Sequence, residues 1–300
     1  MLSSNILRSD ENVEINNNLD ATLMPKLAAL IVLVICCWNP AMGQDAAQPP
    51  SNEDAALAAA VNNPLANMIS VPIQYDWNSG YGDEDGTSNV LLMQPIIPFE
   101  ISENWNIVTR TVIPIVLKQT DIVGNSGSQN GLGDILASQW LSPAKPTKLG
   151  GLGDLVWGIG PAMSIPTATS SMTGSGKFSI GPTAIALLMN RGWVVGALAN
   201  QLWSVAGKDD RASVNTLFVQ PFIVYTTKTH YSFGINTEAT YDWNADEWSV
   251  PINLYLSKLI AVGSQKMSAK VGIRYWADTF EGGPEGWGVR FALTLLFPSK

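Results

Sequence analysis

The sequence ISVPIQYDWN at residues 69–78 places an apolar side chain at nearly every second position. Its apolar residues therefore share one face of an extended strand, and its polar residues share the other. The sequence VRFALTLLF at residues 289–297 repeats this alternation near the other end of the chain. A strand with one apolar and one polar face belongs to a sheet whose two sides contact different surroundings.

Ten more segments with a period of two lie between these, near residues 89–99, 105–118, 132–142, 152–165, 177–189, 193–205, 213–225, 231–243, 247–257 and 267–277. Most are long enough to cross a bilayer at a tilt. Longer Gly-rich loops mostly alternate with tighter turns, which is typical of outer-membrane barrels. We predict an all-β protein, a closed antiparallel twelve-stranded transmembrane β-barrel over residues 69–297. A signal peptide and a short helical segment precede the barrel.

The composition of the 300 residues supports this interpretation, because 46% are hydrophobic and only 14% are charged. Soluble domains average about 25% charged residues. The apolar residues are dispersed, however, so no run resembles a set of membrane-spanning helices. The net charge of −8, without a basic cluster, argues against nucleic acid as a partner.

Catalytic signals are weak throughout the chain. The single histidine, His230, lies in a predicted turn and has no serine nucleophile motif nearby. The stretch GSGK at residues 174–177 lacks the Ser or Thr that a phosphate-binding loop needs after its lysine. We therefore predict no enzyme activity, no cofactor and no metal site.

The N-terminal region has the features of an export signal. An apolar run over residues 27–37 follows Lys26 and precedes Ala41-Met42-Gly43, where cleavage is expected. We predict a signal peptide region over residues 1–43, with translation starting at Met24. Residues 44–68 are expected to form a periplasmic linker with a short helix; the alternative is a plug that folds into the barrel mouth.

The alternation also predicts the orientation of charged side chains, because a charge facing lipid at mid-membrane costs about 2–4 kcal/mol. We predict that eight such residues face the lumen: Asp76, Arg110, Lys118, Glu238, Asp242, Lys270, Arg274 and Arg290. Arg110 and Glu238 are expected to approach each other or shared polar partners. Tryptophans near the strand ends predict two aromatic girdles, formed by Trp77, Trp105, Trp140, Trp193, Trp203, Trp243, Trp248 and Trp287.

Several prolines fall inside predicted strands, where each removes a hydrogen-bond donor. We expect bulges, kinks or strand ends at Pro72, Pro95, Pro98, Pro114, Pro161, Pro182, Pro221 and Pro251. The prolines of the third, fifth and sixth segments are also candidates for a lateral opening in the wall.

Short motifs in a fixed order resemble the outer-membrane transporter family of the meta-pathway of phenol degradation, whose members are often labelled neuromedin U. They include NPLAN at 63–67, GLGDI at 131–135, WGIGP at 157–161, IPTAT at 165–169 and QPF at 220–222. The resemblance covers about residues 63–297. It implies a barrel that passes small, often aromatic or hydrophobic, molecules across the outer membrane.

The predicted function is therefore passive uptake of such molecules through a narrow lumen. The alternative is a structural or adhesive barrel whose lumen is closed by ion pairs. The predicted location is the outer membrane of a Gram-negative bacterium, with both termini in the periplasm. The expected partners are outer-membrane lipid, a small hydrophobic or aromatic solute, and the barrel-assembly machinery.

Overall fold

The computed structural model describes residues 57–58, 60–122 and 127–298. These residues form twelve long strands, three of which have a short break. In chain order they are β1 Met68–Tyr81, β2 Gly86–Met93 with Ile96–Ser102, β3 Trp105–Thr120, β4 Ser128–Leu132 with Ile135–Pro143, β5 Asp154–Ile165, β6 Lys177–Asn190, β7 Trp193–Gly207, β8 Asn215–Thr226, β9 Tyr231–Thr237 with Ala239–Asp242, β10 Glu247–Val262, β11 Gln265–Asp278 and β12 Gly286–Pro298. A two-residue strand, Thr147–Lys148, pairs with the start of β5.

Each strand pairs antiparallel with the next along the chain, and β1 pairs with β12. The closing pair runs in register from Met68 opposite Pro298 to Asn78 opposite Gly288. The sheet therefore has no free edge, and the predicted closed twelve-stranded barrel is confirmed. The chain enters and leaves the barrel at one end, the terminal end. The opposite end, which carries the segment at 166–176, is the loop end.

Burial alternates along β1 as the sequence predicts. Gln74, Asp76 and Asn78 are buried, whereas Ile69 is exposed. In β12, Arg290 is buried and Phe297 is exposed. The buried set faces the interior, where side chains from different strands pack against one another, and the apolar exposed set faces outward.

The remaining elements are small. A 3-10 turn spans Gly150–Leu152, and the Val61 N–H donates to the Leu57 carbonyl (3.0 Å) to close a helical turn before β1. Among the described residues, no helix is both long and apolar enough to cross a membrane. The predicted signal peptide and the linker at 44–56 lie outside the described residues.

Prolines coincide with irregular points of the wall. Pro95 lies in the break of β2, and Pro251 lies at a register shift between β10 and β11. Pro161 and Pro182 face each other directly across β5 and β6. Each of these two follows a glycine, so the two strands carry matching Gly-Pro steps.

The two facing prolines interrupt the ladders on either side of them. The β4–β5 ladder has no pair between Leu141–Ile159 and Ser138–Ala162. The β6–β7 ladder has none between Thr183–Asn200 and Ile180–Trp203. Within the described barrel, the β5–β6 pairing itself is continuous at this level. The N–H groups that Pro161 and Pro182 lack are therefore those that would point away from the β5–β6 pair, toward β4 and β7.

Candidate functional site: the barrel lumen

Arg290 is the centre of an ion-pair cluster inside the barrel. Its Nε and Nη2 donate to the two carboxylate oxygens of Asp76, at 2.7 and 2.9 Å. Its Nη1 and Nη2 donate to the two oxygens of Glu238, at 2.7 and 2.8 Å. A planar guanidinium suits two such bidentate contacts. Because its residues belong to β12, β1 and β9, the cluster bridges separate parts of the wall.

Arg274 of β11 joins the same cluster. Its Nη2 donates to Glu238 Oε2 (2.6 Å) and lies 3.7 Å from Asp76 Oδ2. Gln74 Nε2 also donates to Asp76 Oδ2 (3.0 Å). Both carboxylates are therefore shared between the two arginines. Removing ions from water is costly unless each charge is paired and hydrogen-bonded, and this cluster meets that condition.

Two further lumen cations lie close to the cluster. Arg110 of β3 donates from Nη2 to Gln94 Oε1 (2.5 Å), in the break of β2. The Nζ of Lys270 on β11 lies 4.3 Å from the centre of the Tyr255 ring, which is a cation–π contact. Arg110 and Glu238 bond to different partners, Arg110 to Gln94 and Glu238 to the two arginines of the cluster.

Lys118 does not face the lumen, so this prediction is wrong. Val90 and Asn89 are consecutive in β2, but their partners in β3, Val116 and Lys118, are two positions apart. The strand β3 therefore carries a bulge with one extra residue. The extra residue shifts the alternation by one position. Gln119 is consequently buried and Lys118 is exposed. Sequence alternation alone could not detect this change of face.

Asp242 lies at the loop end of β9, away from the cluster. Its Oδ1 accepts the backbone N–H of Asn244 (2.8 Å), which stabilises the turn into β10. Its backbone lies opposite Thr216 and Glu247. The side chain therefore serves a local turn at the rim.

Trp140 is a second wrong assignment, because it belongs to the interior and not to a girdle. It is fully buried, and its Nε1 donates to Thr183 Oγ1 (3.2 Å). Its neighbours at alternate positions, Ser138 and Ser142, are also buried, whereas Leu141 is exposed. The position of Trp140 near a strand end suggested an interface, but its strand phase turns it inward.

Trp140 is part of an apolar lumen wall on strands β3 to β8. The buried members of this wall are Val108, Trp140, Val156, Ile185, Leu187, Val194, Leu198 and Val224. Phe218 and Phe222 of β8 and Tyr255 of β10 pack against it. The lumen therefore has two unlike sides, one apolar and aromatic and the other polar and charged.

Exposed tryptophans and their aromatic partners mark both ends of the outer surface. At the terminal end, Trp193 contacts Tyr225 in a tilted arrangement (4.8 Å between ring centres), and Trp105 meets Trp157 edge-on. At the loop end, Trp287 contacts Tyr275 at 5.0 Å. Trp203, Trp243 and Trp248 are exposed there too, and Trp77 is half-buried. Indole rings suit a membrane interface, being apolar with one polar N–H.

The segment before β1 lies against the interior at the terminal end. Leu65 is buried among the apolar wall that includes Val108 and Trp140. Asn62 Nδ2 donates to Thr226 Oγ1 (3.2 Å) and Ser232 Oγ (3.3 Å), on β8 and β9. Leu57 packs with Leu296 of β12. Because these contacts reach separate parts of the wall, the segment crosses the mouth of the barrel.

Several lumen residues were missed by the sequence reasoning because they are neutral. Gln74, Gln94 and Asn253 all bond to the charged groups, and Asn253 Oδ1 accepts from Arg274 Nε (2.7 Å). The alternation that located the charges also places Gln74 and Asn253 on the inner face. A search for inward polar residues of any kind would have found these two.

The described residues hold no group of three or more His, Cys, Asp or Glu side chains that could bind a metal ion. His230 lies in the turn between β8 and β9 with a positive φ of 64°. Its buried Nε2 has no hydrogen-bond partner among the described residues.

The fold defined by these features is that of an outer-membrane β-barrel. A scan against protein-family models and a search of curated proteins found no match. Among solved structures, the COG4313 outer membrane channel from Pseudomonas putida F1 is similar, with a TM-score of 0.60 and 13% identity over 77% of this chain and 96% of that chain. The resemblance to the meta-pathway family stays a prediction.

Two further solved structures match this chain with TM-scores below 0.5. The NanC porin has 12% identity and a TM-score of 0.45, covering 76% of this chain and 98% of that chain. The Salmonella typhi outer membrane phospholipase has 9% identity and a TM-score of 0.46, covering 80% of this chain and 97% of that chain.

Proposed function

We propose that this chain is a channel of the bacterial outer membrane that lets small molecules cross passively through its lumen. The observation that carries this proposal is the division of the lumen into a charged wall and an apolar, aromatic wall. A barrel that served only as a scaffold would need no such arrangement. Twelve strands enclose a lumen between the filled interior of eight and the wide channel of sixteen, which suits small solutes.

The solute class that fits the apolar wall is small and hydrophobic or aromatic. Phe218, Phe222 and Tyr255, which are only half-buried, offer ring faces and edges to such a molecule. We propose no cofactor and no enzymatic activity for this chain.

The location follows from the same surface. The outward apolar residues and the aromatic pairs at both ends suit contact with outer-membrane lipid. We propose that the chain is exported, assembled by the barrel-assembly machinery of a Gram-negative bacterium, and oriented with both termini in the periplasm. Protease accessibility of tags placed at the terminal end and at 166–176 in whole cells would test this orientation.

Single-channel recording in planar bilayers tests the channel proposal. The purified full-length chain should produce discrete conductance steps that heat-denatured protein does not produce. The competing function is a structural or adhesive barrel with a closed lumen. It is favoured by the Asp76–Arg290–Glu238 bonds and by Leu65 in the terminal mouth. A folded barrel that remains electrically silent would support this competing function.

A further inference from the structure

The charges inside the barrel are unbalanced at mid-height. Arg110, Lys270, Arg274 and Arg290 supply four positive charges, and Asp76 and Glu238 supply two negative ones. Both carboxylates are used by Arg274 and Arg290. Together, these six described residues carry an excess of two positive charges, although the whole chain is acidic.

The excess resides on Arg110 and Lys270. Among the described residues, neither has a carboxylate within ion-pair distance: Arg110 bonds to the neutral Gln94, and Lys270 lies over the Tyr255 ring. A cation inside a barrel without an anionic partner is costly to bury, so it favours an anion that comes from outside.

A buried donor beside the cluster points to the same kind of ligand. Asn253 is 1% exposed, and its Oδ1 accepts from Arg274 Nε (2.7 Å). Because an arginine can only donate, this bond fixes the orientation of the amide. The Nδ2 of Asn253 is then left without a partner among the described residues. Asn236 Oδ1, on the neighbouring strand, is also unpaired, so a water can bridge the two amides when no anion is bound.

Aromatic side chains lie beside these groups. The Tyr255 ring, which carries the Lys270 contact, packs against the apolar wall. Phe218 and Phe222 of β8 pack against the same wall, and all three rings are only half-buried. A solute whose charged end lies at Lys270 therefore meets aromatic rings with the rest of its body.

From this geometry we infer that the lumen selects small amphipathic anions, an apolar or aromatic body carrying one carboxylate. This inference rests on the proposed function and specifies its substrate class. A neutral aromatic molecule leaves Arg110 and Lys270 unused, and an organic cation is repelled by them. An inorganic anion gains nothing from the apolar wall.

The test compares lysine and arginine variants in two kinds of assay, transport and binding. Arg110→Gln and Lys270→Gln each remove one lumen charge and keep a hydrogen-bonding group. Lys118→Gln removes the same charge from the outer surface and is the control. The first assay is the reversal potential of the full-length chain in planar bilayers under a KCl gradient, together with swelling of liposomes in benzoate or in neutral benzyl alcohol. The second assay is binding of benzoate to the detergent-solubilised chain.

We expect anion selectivity and faster entry of benzoate than of benzyl alcohol. Each lumen variant should lower benzoate entry about three- to fivefold, the effect of one charge about 5 Å away in a water-like medium. The Lys118→Gln control should match the wild type. On gels, each variant should migrate more slowly after boiling than before boiling, which confirms that the unboiled protein was folded.

The outcomes separate the two proposals. A silent wild-type barrel that still binds benzoate through Arg110 and Lys270 would overturn the channel and retain the anion site. A conducting barrel with no anion preference, or with lumen variants that behave like Lys118→Gln, would overturn the anion site and retain the channel.

Discussion

Arg290 and Asp76 join the last strand of the barrel to the first through two parallel hydrogen bonds of 2.7 and 2.9 Å. The two residues lie directly opposite each other in the β1–β12 pairing that closes the cylinder. Residues 214 positions apart in the chain thus form an ion pair at the seam of the barrel. The same guanidinium also holds Glu238 of β9, so the closure of the wall and the charge layer of the lumen depend on one side chain.

Breaking this pair should destabilise the barrel strongly. Asp76→Asn leaves Arg290 with one carboxylate fewer in a buried position, where losing a partner costs about 3–5 kcal/mol. The temperature at which the folded form disappears on unboiled gels should fall. Lys148→Gln, which breaks the exposed Lys148–Asp154 pair (2.7 Å), is the control and should cost less than about 1 kcal/mol. Equal effects of the two substitutions would show that the seam pair contributes no more than a surface pair.

Replacing the facing prolines should stabilise the wall. In Pro161→Val with Pro182→Thr, the restored N–H groups can donate across the interrupted ladders to β4 and β7. Each new hydrogen bond adds about 0.5–1.5 kcal/mol, so the double variant should unfold at a higher temperature.

The same double variant tests whether the prolines form a lateral opening. If they are only structural irregularities, uptake of a hydrophobic solute in liposomes stays unchanged while heat resistance rises, which is the result we expect. Slower uptake in the more stable variant would instead indicate that solute leaves through the gaps beside Pro161 and Pro182.

Displacing the segment before β1 should open the terminal mouth. Leu65→Asp places a charge among Val108 and Trp140, where an unpaired charge is disfavoured by several kcal/mol. The segment should leave the lumen, and single-channel conductance should increase. Leu152→Asp makes the same change at an exposed position in the 3-10 turn and should leave conductance at the wild-type value. An unchanged conductance in Leu65→Asp would mean that the segment does not limit flow.

A side chain at Gly234 should displace the Tyr255 ring, because the ring lies directly over this glycine. A Cβ at this position would lie 2.1 Å from Tyr255 Cζ. Gly234→Ala must therefore move the ring that carries the Lys270 contact, at a cost of about 1–3 kcal/mol. Gly151→Ala adds a methyl group where nothing lies within 4 Å and is the control. Thermal unfolding of both variants, followed on unboiled gels, checks the difference; equal midpoints would contradict the predicted overlap.

The sequence by itself determined the class of fold and most of the strand bounds. The alternation at 69–78 and 289–297 depends on local geometry, because neighbouring side chains of a strand always point to opposite faces. That rule sufficed to place Asp76, Arg274 and Arg290 on the inner face. It failed at Lys118, because a bulge depends on how two strands pair. Trp140 was misassigned for another reason: its position near a strand end does not determine which face of the strand it occupies.

Only the tertiary structure decided which inward residues meet. Arg290 meets Asp76 because the barrel closes, and it meets Glu238, in the break of β9, across the barrel interior. Pro161 meets Pro182 because the β5–β6 register places them opposite each other. The unbalanced charges on Arg110 and Lys270 likewise emerge only when the carboxylates are assigned to other partners. These are contacts between distant parts of the chain, and they depend on closure and register, which no local pattern of residues encodes.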